Sequence, residues 1–468
     1  MKGKKVFRLN KRLYIIFILI SVLIVSAVIA IVSSSGNGRI SLFYSPGKNA
    51  AIVLTNGSDT GNTVTGKSIS CIRYNSDSTS CSVLMSDGAA YTLYSVNAKK
   101  VEKITDNCTS NVVHSYNGKN SVYITSDGNL YSGKNMIEES VESFAVSSDC
   151  SVILFLKNDG NNKKLYLYKG GKSTFINEGY TPLAVSDDGK NLYILSGDNS
   201  LFILNPDGTM KSKLCSDVIS NTVWFSDDLR CVVFSDGEYT YISEDGGNRV
   251  RLAPGNVAPV FTESEVIRLN STGTAFICSD DDLAELFYCG FNEDGTNALF
   301  YIGDDYSRTD ITNSAKKYII TDDDRLTFLD SAGNVYRYDG AVSEQIASNA
   351  TDFEATSKNR YVYYITGSNE LYSVKRSNTQ LVASDAEKIY MTASDILLVI
   401  AENKNLFSIS GTKRSDIIDE NVSFCVREGD IIYYTADYSI KDGTYSLYCS
   451  EDGKKFRSVA ENIIKTIG

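Results

Sequence analysis

The chain predicts an all-β protein assembled from short repeats and carried behind one membrane-spanning helix. Three observations lead there. Among 468 residues there are 30 Tyr, 19 Phe and 34 Gly against only 5 Pro, a composition that suits many short strands joined by tight turns. An aliphatic residue followed by an aromatic one recurs along the chain with a turn cluster after it. Finally, an uncharged run from Leu13 to Val32 follows a basic N-terminus.

The N-terminal elements come first. Lys2, Lys4, Lys5, Arg8, Lys11 and Arg12 give residues 1–12 six positive charges and no acid. At about 1.5 Å rise per residue, the twenty residues that follow span roughly 30 Å, the thickness of a bilayer core. The positive-inside rule then sets 1–12 as a cytoplasmic tail, 13–33 as a single-pass transmembrane helix, and the rest outside the cell membrane. A cleaved signal peptide is the competing reading, since Val25-Ser26-Ala27 has small residues at a cleavage-like position. Five further apolar residues after Ala27 make the run longer than a usual signal core. Residues 34–66 are expected to form a linker and N-terminal hairpin. Ile40–Tyr44 and Ala51–Thr55 would be either a cap or a strand closing the repeats, and 57–66 a flexible stretch.

The repeats follow. Their aromatic markers are Tyr94, Tyr131, Tyr166, Phe202, Tyr241, Phe287, Tyr336, Tyr372, Phe407 and Tyr448, spaced 35 to 49 residues apart and about 39 on average. Periods near 40 with four strands each are those of β-propeller blades. Residues 353–385 divide into four strand candidates at Phe353–Thr356, Tyr361–Thr366, Glu370–Val374 and Gln380–Ala383, joined by Asn- and Gly-containing turns. A four-stranded unit cannot bury both faces alone, so such repeats stack on their neighbours. Ten repeats exceed the four to eight blades of a typical ring. The expectation is therefore two propellers, 67–256 and 257–468, cut where the repeat lengthens, with a single large ring, or fewer blades and some hairpins outside the ring, as the alternative.

Pro182–Asp207 resembles the TolB-type propeller repeat, in which a Ser-x-Asp-Gly-Lys turn separates a blade's first two strands. Ser186, Asp188, Gly189 and Lys190 match that turn. Weaker copies stand at Phe144–Ser151 and at Trp224–Arg230, where the Gly is lost. Ser243–Gly247 is similar to the Asp-box hairpin of sialidase-type propellers, with Val250 in place of its aromatic. The resemblance implies a propeller fold and leaves the role open, because propellers host binding, scaffolding and catalysis alike.

Charge and cysteines narrow the classes. Beyond the basic tail, 40 basic residues face 57 acidic ones, about −17, which disfavours nucleic acid and anionic membrane surfaces as partners. All ten cysteines lie in the exported part, and none forms a CxxC pair. Buried small hydrophobes are the simpler reading. Disulfides linking Cys71 to Cys81 or Cys278 to Cys289 are the alternative.

Little in the sequence carries catalysis. The only histidine, His114, sits in the strand-like run Val112–Tyr116, and no GxSxG elbow accompanies it. A single imidazole disfavours histidine-based metal sites, and no nucleotide or calcium-loop signature is present, so no cofactor is expected. Asp280 with Asp282 and Asp322 with Asp324 are acid pairs of the kind glycoside hydrolysis uses, though they also read as solvated turn acids. Residues 280–310 hold nine acids and one base. They make Asp280, Asp281, Asp282, Asp304 and Asp305 a candidate acidic interaction patch for a cationic partner or a divalent ion. The functional expectation is a membrane-anchored binding or scaffolding module for protein or glycan. The alternative is an exported propeller-type hydrolase acting on glycan or peptide.

Overall fold

The computed structural model describes residues 38–464 apart from 89, 161, 227, 261–266, 270–274, 278–282, 284, 322–324, 429 and 451. The expected transmembrane segment, Asp280–Asp282, Asp322–Asp324 and Cys278 lie outside the described residues. Among the described residues there is no α-helix, only two 3-10 turns at Pro46–Lys48 and Ser220–Thr222, and no helix long and apolar enough to cross a membrane.

Short antiparallel meanders account for the rest. Eleven sheet units follow in chain order: unit 1 at 40–65, unit 2 at 68–107, unit 3 at 108–138, unit 4 at 141–178, unit 5 at 180–215, unit 6 at 224–254, unit 7 at 257–313, unit 8 at 314–347, unit 9 at 350–383, unit 10 at 386–414 and unit 11 at 422–463. Unit 1 has three strands, and the others are built on four. Units 2 and 3 share one long strand, Lys100–His114, and units 7 and 8 share Arg308–Ile320, so each pair reads as a seven-stranded sheet. Unit 6 gains a hairpin, Ile267–Leu269 with Ala275–Ile277, whose second strand runs parallel to Trp224–Phe225. That insertion falls where the sequence repeat lengthens.

The repeat markers have a common task. In six units the marker aromatic stacks on the residue directly across from it on the second strand, as in Tyr123–Tyr131, Phe155–Tyr166, Phe234–Tyr241, Phe328–Tyr336, Tyr364–Tyr372 and Tyr434–Tyr448. Ring centroids there are 4.9–5.8 Å apart, and offset aromatic pairs of this kind add about 0.5–1.5 kcal/mol beyond their buried area. Many second strands are deeply buried, Ser121–Thr125 and Leu397–Ala401 at every residue. Their near-continuous apolar runs follow from being covered on both faces.

The core is not one mass. Among the described residues, ten of eleven apolar clusters are each built from two consecutive units, and the other joins the first unit to the last. The succession continues across the expected division at 256, where Val233, Ile242 and Leu252 pack with Val257, Tyr288 and Phe300. It also joins the ends: Phe43, Ile52 and Leu54 of unit 1 pack with Ile431, Tyr433, Leu447 and Ile463 of unit 11. Polar contacts reinforce that junction. Tyr433 Oη bonds Ser41 Oγ at 3.2 Å, Arg457 donates to Ser58 Oγ and Asn56 O at 2.8 Å, and Ile464 N donates to Tyr44 O at 3.2 Å.

Two local expectations change. Residues 58–65, expected to be a flexible link, form the third strand of unit 1, because its Thr-rich alternation turns Val64 into the core. Cys71 and Cys81 are free thiols. They sit on paired strands three positions out of step, Cys71 opposite Leu84 and Cys81 opposite Tyr74, so neither faces the other.

Candidate functional site

The connections between strands fall at two ends. In a four-stranded meander the 1–2 and 3–4 turns share one end, and the 2–3 turn shares the other with the link to the next unit. At the first end the Ser-x-Asp-Gly-Lys turn proves far more widespread than its sequence signature. The same i+3 backbone bond closes Asn75–Ser78, Ser115–Gly118, Ser147–Cys150, Ser186–Gly189, Ser226–Leu229, Thr356–Asn359 and Thr392–Asp395. Every fourth residue takes a left-handed φ, between 51° and 71°. The side chains do what the motif requires: Ser186 Oγ donates to Asp188 Oδ1 at 2.8 Å, which accepts the Lys190 N–H at 2.9 Å. Hydrogen bonds from Lys190 hold the Asp188 carboxyl down at about 2. Sequence reading found three of the seven, at Ser147, Ser186 and Ser226; the copies at Asn75, Thr356 and Thr392 lack both the leading serine and the glycine, and the copy at Ser115 has Asn117 in place of the aspartate. Neighbouring turns are also tied in a row, Ser76 N to Tyr116 O, Tyr116 N to Ser148 O, and Ser148 N to Asp187 Oδ1 at 2.7 Å.

The sequence-picked residues fall into structural places. His114 ends the first strand of unit 3 and is 6% exposed. Its Nδ1 lies 3.0 Å from Ser82 Oγ and from Ser121 Oγ, and its Nε2 lies 3.2 Å from Ser80 Oγ. Burial pushes the imidazole down to about 4, so the ring is neutral at pH 7. Of the acidic patch, Asp304 and Asp305 lie in the 3–4 turn Gly303–Ser307 of unit 7, where Asp305 accepts the Ser307 N–H at 2.9 Å. Hydrogen bonds from Ser307 keep its carboxyl below the ordinary range. Asp294 does the same for Thr296, and Asp310 pairs with Arg308. Burial raises the Cys108 thiol to about 12, with Cys81 and Cys425 pushed up further, so these thiols are poor nucleophiles. Among the described residues no three His, Cys, Asp or Glu side chains gather to hold a metal ion.

At the second end a cleft of about 610 Å³ opens between units 10 and 11, lined by Lys404, Asn421, Val422, Ser423, Asp437 and Tyr438. Three connections build it. Lys404 comes from the 2–3 turn of unit 10, Asn421 to Ser423 from the entry into unit 11, and Asp437 with Tyr438 from that unit's own 2–3 hairpin. The frame is a recurrent one: Val422 N donates to Lys404 O at 3.0 Å, as Val141 N does to Gly128 O, Ala350 N to Gly333 O and Ala386 N to Asn369 O. The residue is not. Gly128, Gly333 and Asn369 fill the left-handed turn position elsewhere, residue types that tolerate it, whereas Lys404 holds φ 67°. Asp437 is left-handed too, at φ 56°, beside a register break between Ala436 and Ser439. That bulge turns Tyr438 outward, half exposed, with its ring 4.7 Å from Tyr445, which in turn meets Phe424 edge-on. No sequence signal marked this place, because it unites residues from three connections.

Comparison with known proteins yields similarities of low identity and no family. No protein-family description matches the chain, and no curated protein is similar to it. Solved structures with related strand arrangements include TolB of Acinetobacter baumannii, at 16% identity and TM-score 0.30, covering 47% of this chain and 65% of that one. The chain thus spans under two thirds of TolB's length. Another is PorZ, a bacterial surface component of the type-IX secretion system of Porphyromonas gingivalis, at 11% identity and TM-score 0.32, covering 91% of this chain and 67% of that one. The dipeptidyl peptidase 4 of the same organism is similar at 12% identity and TM-score 0.29, covering 76% and 60%. By its own strand topology the described chain is all-β, built of repeated four-stranded antiparallel sheets, an arrangement consistent with a β-propeller.

Proposed function

We propose that this chain is a membrane-anchored, extracytoplasmic binding module whose eleven units close as one ring, in place of two rings divided at 256. The observation that carries the reading is the unbroken cycle of two-unit clusters, with unit 1 packed between units 2 and 11. A closed cycle has no free blade face and holds its connections rigidly at two ends, the arrangement on which loops serve recognition. Leu13–Val32 would anchor it, with the cleft at the second end as its recognition surface for glycan or protein.

Hydrogen exchange on the full chain in a zwitterionic, sugar-free detergent tests this, with and without solubilised cell-envelope extract. Slowed exchange at 402–405, 421–424 and 436–440 is expected. Uniform exchange across all connections would remove the binding reading. Turnover of a glycan or peptide reporter by the purified chain would favour the hydrolase.

A further inference from the structure

The cleft's chemistry is specific enough to name a ligand class. Its charges are one ammonium and one carboxylate, and the Lys404 ammonium already pairs with Glu387. With that ammonium neutralised, the Asp437 carboxylate is the charge left in the lining, which disfavours an anionic ligand. Among the described residues, no partner takes up the side chains of Asn421, Ser423 or Asp437, so an amide, a hydroxyl and a carboxylate line the cleft with unused hydrogen-bonding capacity. Beside them Tyr438 offers half its surface, buttressed by Tyr445. Apolar contact on one side and mixed donors and acceptors around the edge suit a ring with apolar C–H faces and a hydroxylated rim. The cleft is broadly open to solvent, with a volume of about 610 Å³.

A second feature shows that the cleft is built at a cost. A lysine in left-handed backbone geometry is disfavoured, and the equivalent turns at Gly128, Asn199, Gly333 and Asn369 avoid it with Gly or Asn. The ammonium that this lysine carries pairs with Glu387 and lines the cleft. The bulge at Asp437 is likewise a departure, since the second strand runs nine residues here against five in units 9 and 10.

We propose that this cleft binds a neutral pyranose oligosaccharide, one sugar ring stacked on Tyr438 and its hydroxyls held by Asn421, Ser423, Asp437 and Lys404. The proposal rests on the binding-module reading and narrows it.

The test is saturation-transfer NMR and calorimetric titration of the full chain in the same detergent. The probes are cellotetraose, chitotetraose and, as a non-sugar of similar length, tetra-alanine. Binding of a tetrasaccharide is expected, weakened at least tenfold by Tyr438→Ala and restored to within about threefold by Tyr438→Phe. Lys404→Gly should weaken it at least fivefold without lowering the melting temperature, since glycine relieves the backbone. Tetra-alanine binding that depends on Tyr438, with no sugar bound, would overturn the sugar assignment and leave the binding module standing. If neither probe type responds to the cleft variants, both fall for this surface. Sugar binding that persists in Tyr438→Ala would place the site elsewhere and refute the proposal.

Discussion

His114 allows a quantitative test of how the unit 2–unit 3 junction is held. Its ring is buried among the hydroxyls of Ser80, Ser82 and Ser121, with its ionisation lowered from 6.5 to about 4 by desolvation. A lowered imidazole means that the unfolded chain binds the proton more readily than the folded one. Stability tied to this group is therefore intact above about pH 6.5 and drains away as pH falls toward 4. That lowering corresponds to about 3 kcal/mol at the acid limit, of which about 2 kcal/mol is already lost at pH 5. His114→Gln removes the titration. At pH 7 it should cost about 1–2 kcal/mol, because a buried hydrogen-bonded ring is replaced and the hydroxyls must re-pair. By pH 5 the variant should match or exceed the parent. The assay is guanidinium unfolding of both proteins across pH 4.5–7.5, read as the difference so that shared carboxylate titrations cancel, with hydrogen exchange at 112–123 as the local probe. A constant difference across that range would show that the ring is not desolvated as described.

Three further outcomes follow from the fold. Phe43→Ala, which empties a position packed 4.7 Å from Tyr433, should cost about 3–5 kcal/mol and speed exchange in 40–54 and 431–463 together; acceleration confined to 40–54 would separate unit 1 from unit 11. Replacing Asp280, Asp281, Asp282, Asp304 and Asp305 with Asn should abolish any salt-sensitive binding of a cationic partner or calcium without unfolding the sheets. Unchanged binding in that variant would remove the patch. Protease added to intact cells should digest the region beyond residue 36 and spare an N-terminal tag; a protected repeat region would reverse the orientation, and a soluble chain beginning near Val28 would establish cleavage instead.

How much could be read beforehand differs between elements for physical reasons. The strands of 350–383 were legible within about three residues, because alternation and turn residues are local properties. The Ser186–Lys190 turn was legible because its glycine and capping acid are neighbours in sequence. Its copies at Asn75, Thr356 and Thr392 were not, since hydrogen bonding can hold Ser78, Asn359 or Asp395 in left-handed geometry without glycine, and the copy at Ser115 was not because Asn117 replaces the capping acid. Unit 1 was half read: the strands Ile40–Ser45 and Ala50–Thr55 were visible, but Ser58–Thr65 looked like a linker. Polar side chains along an outer strand face water and leave no apolar run.

The sequence by itself determined the all-β class, the near-40-residue unit and the aromatic that marks it. Each of these depends on periodicity and turn chemistry within one unit. Tertiary structure alone decided that unit 1 packs against unit 11, that the thiols of Cys71 and Cys81 stay apart, and that Lys404, Asn421 and Tyr438 share a cleft. Those facts join residues many turns apart, and their proximity is set by how twisted sheets pack face to face, which no local pattern in the chain encodes.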